Sequence, residues 1–238
     1  MSRFGGVTLT WLGHATLHLK TPAGTSVLID PWIKGNPKSP SQIAEFDKVD
    51  LVLLTHGHSD HTGDALSVAQ KYEPTVICIA ELGYLLASQG VKEEKLSGMN
   101  LGGTQKFADL EISMVEARHS SSFGIEGRSV YAGDAAGFIV KVENGTSFYF
   151  AGDTALFSDM KLIRDLYAPE IAVLPIGDHF TMGPEHAAIA AEWTGAKIVL
   201  PIHWGTFPAL VGTPKQLEKA LEGKKIEVIE MTPGVELN

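Results

Sequence analysis

Apolar residues in this chain fall into short runs, some alternating with polar positions and some unbroken, and most end in a turn carrying Gly, Pro, Asp or His. Runs of that length predict strands over 7–12, 15–20, 26–30 and 51–55, then over 76–79, 111–115, 137–142, 147–150, 171–174, 198–201 and 226–229. Helices are predicted over 64–72, 81–89, 159–166, 185–194 and 214–221, the fourth opened by Gly183-Pro184 with proline in a first-turn position. Early strands followed by alternating helices and strands give an α/β protein with a mixed sheet arrangement. No low-complexity tract or linker interrupts the pattern, so residues 1–238 are expected to form one domain. The longest irregular stretch is 31–41, rich in Pro, Gly, Ser and Asn, and a second loop covers 120–128 with Phe123 and Ile125. The first is expected either to help cover substrate or to be a plain surface connection, and the second to add apolar contacts.

Candidate chemistry concentrates where the 51–55 strand ends. Thr55-His56-Gly57-His58-Ser59-Asp60-His61 places three imidazoles and a carboxylate within seven residues, and such donors suit borderline divalent ions such as zinc. If the chain stays extended past the strand, His56 and His58 project to one side and can share an ion. Asp60 and His61 follow where the chain turns toward a helix, so they point elsewhere and leave room for a second ion. Two ions need further donors. His119 follows 110–116, where Leu110, Ile112 and Met114 are set against Glu111, Ser113 and Glu116, Asp153 follows 147–152, and His203 follows 197–202. Each is a strand-end residue, and strand ends on one edge of a sheet structure converge.

This order, His-x-His-x-Asp-His, then a His, an Asp in Gly152-Asp153-Thr154 and a final His, resembles the metallo-β-lactamase superfamily over nearly the whole chain. Trp11-Leu12-Gly13-His14-Ala15-Thr16, the 30–37 segment beginning Asp30-Pro31-Trp32, and His179-Phe180-Thr181-Met182-Gly183-Pro184 are similar to its branch of small, UPF0173-like metal-dependent hydrolases. That branch is similar to ascorbate-6-phosphate lactonase and, more distantly, to the phospholipase D that cleaves N-acylphosphatidylethanolamine. The resemblance implies a four-layer αββα sandwich with metals at one edge. It also implies that His56, His58 and His119 bind one ion, that Asp60, His61 and His203 bind the other, and that Asp153 bridges them. Asp30 would then support the site without binding metal. Ser59, Asp178 and His186 depart from the residues usual at their positions, so roles for Asp178, His179 and His186 stay open. His14 lies in a turn between strands that can face the pocket, and its role is open too.

The chemistry so implied is hydrolysis. Two divalent ions, zinc foremost and manganese, iron or nickel also compatible, share a water, lower its pKa and polarise the carbonyl or phosphoryl oxygen under attack. Asp60 is placed to orient that water or to pass its proton to the leaving group. The expected substrate is a small, possibly anionic ester, lactone, amide or phosphoester.

Other readings lose ground on the residues. A Gly-x-Ser-x-Gly nucleophile turn is absent from the sequence, and Cys78, in the apolar run 75–80, is expected as a buried structural thiol. Ser120-Ser121-Ser122 reads as a polar active-site loop rather than a nucleophile, His18 as a structural hydrogen-bonding residue, and neither Gly102-Gly103 nor Gly133-Asp134-Ala135 has nucleotide-binding spacing. A net charge of −9 without a basic run argues against nucleic acid held through its phosphates, and so against a nuclease. Bound divalent ions would nonetheless make the site locally positive. A non-catalytic metal-binding or regulatory protein and an iron-dependent redox protein remain as alternatives. Residues 1–6 carry no charged-then-apolar signal, no apolar stretch approaches bilayer length, and the single cysteine fits a reducing compartment. The expectation is a cytoplasmic enzyme acting on a small molecule, with a homo-oligomer left open.

Overall fold

Strands that run unbroken in Val, Ile, Leu and Phe must be covered on both faces, and this chain solves that requirement twice. The computed structural model describes residues 3–40, 45–143 and 145–238. Met1 and Ser2 of the N-terminal stretch, and Ser41 at the end of the irregular segment, lie outside the described residues. One seven-stranded sheet runs, edge to edge, Glu236–Leu237, Thr8–Trp11, Leu17–Lys20, Ser26–Ile29, Leu51–Leu53, Thr75–Ile79 and Leu96–Met99. The other runs Glu227–Val228, Ile198–Ile202, Ile171–Pro175, Ser147–Phe150, Ala136–Val142, Leu110–Glu116 and Thr104–Phe107.

Alternation along the strands builds the layers. Phe148 and Phe150 enter a core cluster that takes residues from both sheets, whereas Tyr149 enters a second cluster beneath the helices Met160–Tyr167, Pro184–Thr194 and Pro214–Ala220. Ile171 and Val173 divide from Ala172 and Leu174 in the same way. The helices Ala65–Tyr72 and Ala80–Ser88 bury Ala65, Val68, Leu82 and Leu86 against the first sheet. The result is the expected αββα sandwich.

Both sheets follow one plan: three antiparallel pairings, then three parallel ones. The strand at the changeover is Ser26–Ile29 in one sheet and Ser147–Phe150 in the other, and they lead into Asp30 and Asp153. Parallel strands all point their carboxyl ends to one edge, where open α/β sheets gather their ligands.

The predicted elements are present with ends shifted by a residue or two, and several short ones went unread. Thr104–Phe107 reads Thr-Gln-Lys-Phe and borders its sheet, so only part of it needs apolar cover. Most of the 120–128 loop is instead half of a two-stranded hairpin, Ser122–Ile125 with Arg128–Tyr131. Its turn residues Glu126 and Gly127 have φ of 51° and 75°, as a tight two-residue hairpin turn requires. Phe123 is buried in the core of the sandwich, so it adds to packing there.

Candidate metal centre

The first donors are set by the strand Leu51–Leu53 and its neighbour. Thr55 follows that strand and donates both its backbone N–H (2.8 Å) and its hydroxyl (2.6 Å) to the carboxylate of Asp30. This fixes the chain in extended form into His56-Gly57-His58, and His56 Nε2 lies 3.0 Å from His58 Nδ1, on one side as the spacing predicted. The chain then coils into the short helix Ser59–Thr62. That turn redirects Asp60 and His61: the His61 ring is fully buried with Nδ1 2.8 Å from Asp30 Oδ2, and Asp60 Oδ2 lies 3.1 Å from His14 Nε2.

The second sheet brings the rest. His119, just beyond Leu110–Glu116, stands 5.1 Å, ring to ring, from both His56 and His58. Asp153 is reached through Gly152, whose φ is 62° and where a Cβ would meet Thr55 Cβ at 2.8 Å and Ala136 O at 2.9 Å. Only glycine lets the chain cross so close to the opposite sheet. His203, with φ 55°, donates its N–H to the His14 carbonyl at 3.0 Å.

These side chains converge on a single atom. Asp153 Oδ2 lies 3.0 Å from His203 Nε2, 3.3 Å from His61 Nε2, 3.7 Å from His119 Nε2 and 4.0 Å from His56 Nε2. Ligand atoms of His56, His58 and His119 lie within 4.8 Å of one another, as do those of His14, Asp60, His61 and His203, and those of His56, His61 and Asp153. All seven sequence-predicted ligands therefore meet at the edge.

The donors fit a cation by a direct test. His61 Nε2, both ring nitrogens of His203 and Asp153 Oδ1 are buried without a hydrogen-bond partner, a costly state that a metal ion would relieve. Charge agrees. Burial pushes the imidazoles of His56, His58 and His119 down, toward the neutral form that a metal ligand needs. Burial also opposes charge on Asp153, but His203 and His61 outweigh it and hold the carboxyl well below its usual range. For His61 burial acts downward and is overcome by Asp153 and Asp30, so its pKa rises well above the ordinary value. The ring lies between two buried carboxylates, Asp30 at 2.8 Å and Asp153 at 3.3 Å, a position that favours positive charge. Asp60 likewise falls below the carboxylate range, the His14 hydrogen bond and neighbouring imidazoles overcoming its burial.

The remaining candidates separate cleanly. Asp30 is buried and bonded to Thr55 and His61, whereas His14 is buried against Asp60. His179 and Asp178 are exposed, with φ of 57° and 64°, and His186 is exposed in the first turn of Pro184–Thr194. Trp32, in the irregular segment, packs edge-on against His14 at 5.2 Å, and the segment is tied down where Ile33 N and Lys34 N donate to Asp64. Cys78 is buried, and burial pushes its thiol up to about 12. Sequence reasoning missed the supporting roles of Thr55 and of Thr206, which meets His14 Nδ1 at 3.0 Å, while Ser121, whose Oγ accepts from Gly57 N, lies in the run read as a polar active-site loop. Thr55 adjoins the histidine cluster and was findable, whereas Thr206 acts from a loop without periodicity.

Comparison with known proteins agrees with this geometry. Residues 25–204 match the beta-lactamase superfamily domain. A UPF0173 metal-dependent hydrolase of Koribacter versatilis is 49% identical over 229 residues, spanning 96% of this chain and 97% of that protein. One from Methanopyrus kandleri is 44% identical, spanning 95% and 97%. The solved structure of Igni18, a metallo hydrolase from the archaeon Ignicoccus hospitalis, superposes with a TM-score of 0.85 at 34% identity over 98% of each chain. The chain thus belongs to the metallo-β-lactamase superfamily and, within it, to the UPF0173 family of metal-dependent hydrolases.

Proposed function

We propose that the protein is a dinuclear metal hydrolase in which His56, His58 and His119 hold one ion, Asp60, His61 and His203 hold the other, and Asp153 stands between them. The observation that carries this reading is the single Asp153 oxygen within 4.0 Å of four imidazole nitrogens drawn from both sheets. Nitrogen and oxygen donors of this kind take zinc, and they also accept manganese, iron or nickel. Two bound ions would bring a water's pKa toward neutrality and polarise a carbonyl or phosphoryl oxygen.

The chain's own residues do the rest. Asp153 sets the spacing of the two donor groups, and Asp30 orients His61 through its Nδ1. Asp60, whose side chain is 27% exposed beside the buried histidines, would orient the attacking water or pass its proton to the leaving group. His179 is exposed three residues before Met182, whose N–H donates to Thr154 O one residue past Asp153, and this supports a substrate-facing role for it. A small ester, lactone, amide or phosphoester is the substrate class this supports, with anionic members favoured by a loaded, locally positive centre. A cytoplasmic setting suits the buried lone Cys78.

Metal analysis by plasma emission, together with a screen of phosphodiester, lactone, thioester and amide substrates against zinc-, manganese- and iron-loaded protein, tests the reading. Two ions per chain and hydrolysis lost on chelation are expected, with Asp153→Ala and His119→Ala lowering both. Hydrolysis that survives metal stripping would overturn it.

A further inference from the structure

His14 is held more firmly than a spacer requires. It is a fully buried, non-glycine residue in the left-handed region at φ 54°, a conformation that persists only where its surroundings over-determine it. Here its carbonyl accepts from Trp11 Nε1 at 2.9 Å and from His203 N at 3.0 Å. Its ring lies 3.9 Å from that of His203 and is met edge-on by Trp32 and Phe207. Both ring nitrogens are engaged, Nδ1 with Thr206 Oγ1 at 3.0 Å and Nε2 with Asp60 Oδ2 at 3.1 Å. His61 Nε2 and His203 Nε2, by contrast, have no hydrogen-bond partner at all. The contrast separates a ring that is already satisfied from rings that await an ion.

We propose that Thr206 and His14 form a positioning pair for Asp60: the Thr206 hydroxyl donates to His14 Nδ1 at 3.0 Å rather than to the more distant Trp204 carbonyl at 3.5 Å, keeping the ring hydrogen on Nε2, and that N–H is donated to Asp60 Oδ2. Asp60 would then offer only its other oxygen to an ion held together with His61 and His203. The inference rests on the reading of Asp60 as a ligand. Outer hydrogen bonds of this kind are worth about 10- to 100-fold in metal affinity.

The test uses the full chain loaded with zinc. Nitrogen-15 NMR of the histidine rings is expected to show His14 protonated at Nε2 and bare at Nδ1. A His14 ring carrying its proton on Nδ1, with Nε2 shifted by metal, would make it a direct ligand and overturn the proposal. In competition titrations Thr206→Val is expected to weaken one of two zinc sites about ten-fold and leave the other unchanged, with Thr206→Ser restoring it. The cobalt-substituted variant should show an altered visible spectrum. His14→Gln should weaken the same site, and adding Thr206→Val to it should cost nothing more, because both act through one bond. Two-site binding in the wild type with Thr206→Val indistinguishable from it overturns the positioning role alone. A wild type that takes up fewer than two ions overturns the dinuclear reading and this proposal together.

Discussion

At the scale of single residues, a few buried polar groups govern the centre, and Asp30 has the most to lose. Its carboxylate accepts from Thr55 N, Thr55 Oγ1 and His61 Nδ1. Asp30→Ala leaves those donors buried and unmet, at about 1–3 kcal/mol for each group not rescued by water. Urea unfolding should register a loss of several kcal/mol, and zinc affinity should fall about 10- to 100-fold. A stability loss with unchanged affinity would confine Asp30 to folding. His18 offers a cleaner pH effect, because it bonds Ser26 Oγ at 2.8 Å and packs on Phe46, apart from the donors. Burial, with help from Lys20, pushes its pKa from 6.5 to about 4. The folded state thus prefers the neutral ring: its contribution is complete above pH 6.5 and is lost as pH falls through that window toward 4. The difference corresponds to about 3 kcal/mol. Metal-free wild type should therefore lose stability between those values more steeply than His18→Gln, measured by urea unfolding at each pH. Parallel curves would remove His18 from the acid response.

At the scale of elements, ligand placement depends on pieces that carry no ligand. The hairpin Ser122–Ile125 with Arg128–Tyr131 backs the His56-Gly57-His58 loop: Gly57 N donates to Ser121 Oγ, and a Cβ on Gly57 would meet Ala132 Cβ at 2.8 Å and Ser122 O at 2.9 Å. Gly57→Ala must push loop and hairpin apart, at about 1–3 kcal/mol. It should also loosen the site shared by His56, His58 and His119, seen as weaker binding of one zinc ion in competition titration. Full affinity with lowered stability would mean that the loop shifts as a rigid unit. This dependence explains what the sequence could and could not reveal. Strands such as 147–150 and 171–174 are legible because covering both faces demands unbroken apolar residues, and the candidate donors are legible because they cluster just past the ends of strands. The hairpin is not, since half its positions face water, and Leu96–Met99 carries Ser97 and Gly98 where an apolar run would be expected. Thr206 escapes for another reason: it meets His14 across 192 positions, a pairing no local pattern encodes.

At the scale of the whole molecule, the donors tie the two sheets together. His56, His58, Asp60 and His61 follow a strand of one sheet, whereas His119, Asp153 and His203 follow strands of the other. Without a cation the join at Asp153 depends on its close approach to His61 at 3.3 Å and His203 at 3.0 Å, and several buried atoms have no partner. Bound ions should therefore act as cross-links between layers. Ligand linkage gives about 4 kcal/mol for one ion held at a thousand times its dissociation constant. For a chain of this length each kcal/mol moves the melting point by about 2–4 °C. Zinc-loaded wild type should accordingly melt about 8–16 °C above chelator-stripped protein by calorimetry. Asp153→Ala should show less than half that shift, because it deletes the atom on which both donor groups converge. Hydrogen exchange locates the effect: stripping metal should speed exchange around 54–62 and 150–154, where the sheets meet, and leave the far ends of the same strands protected. Slowed exchange on zinc binding that is confined to 54–62, with 150–154 unchanged, would show that the ion sits on one sheet alone, and the shared centre inferred from Asp153 would then have to be abandoned.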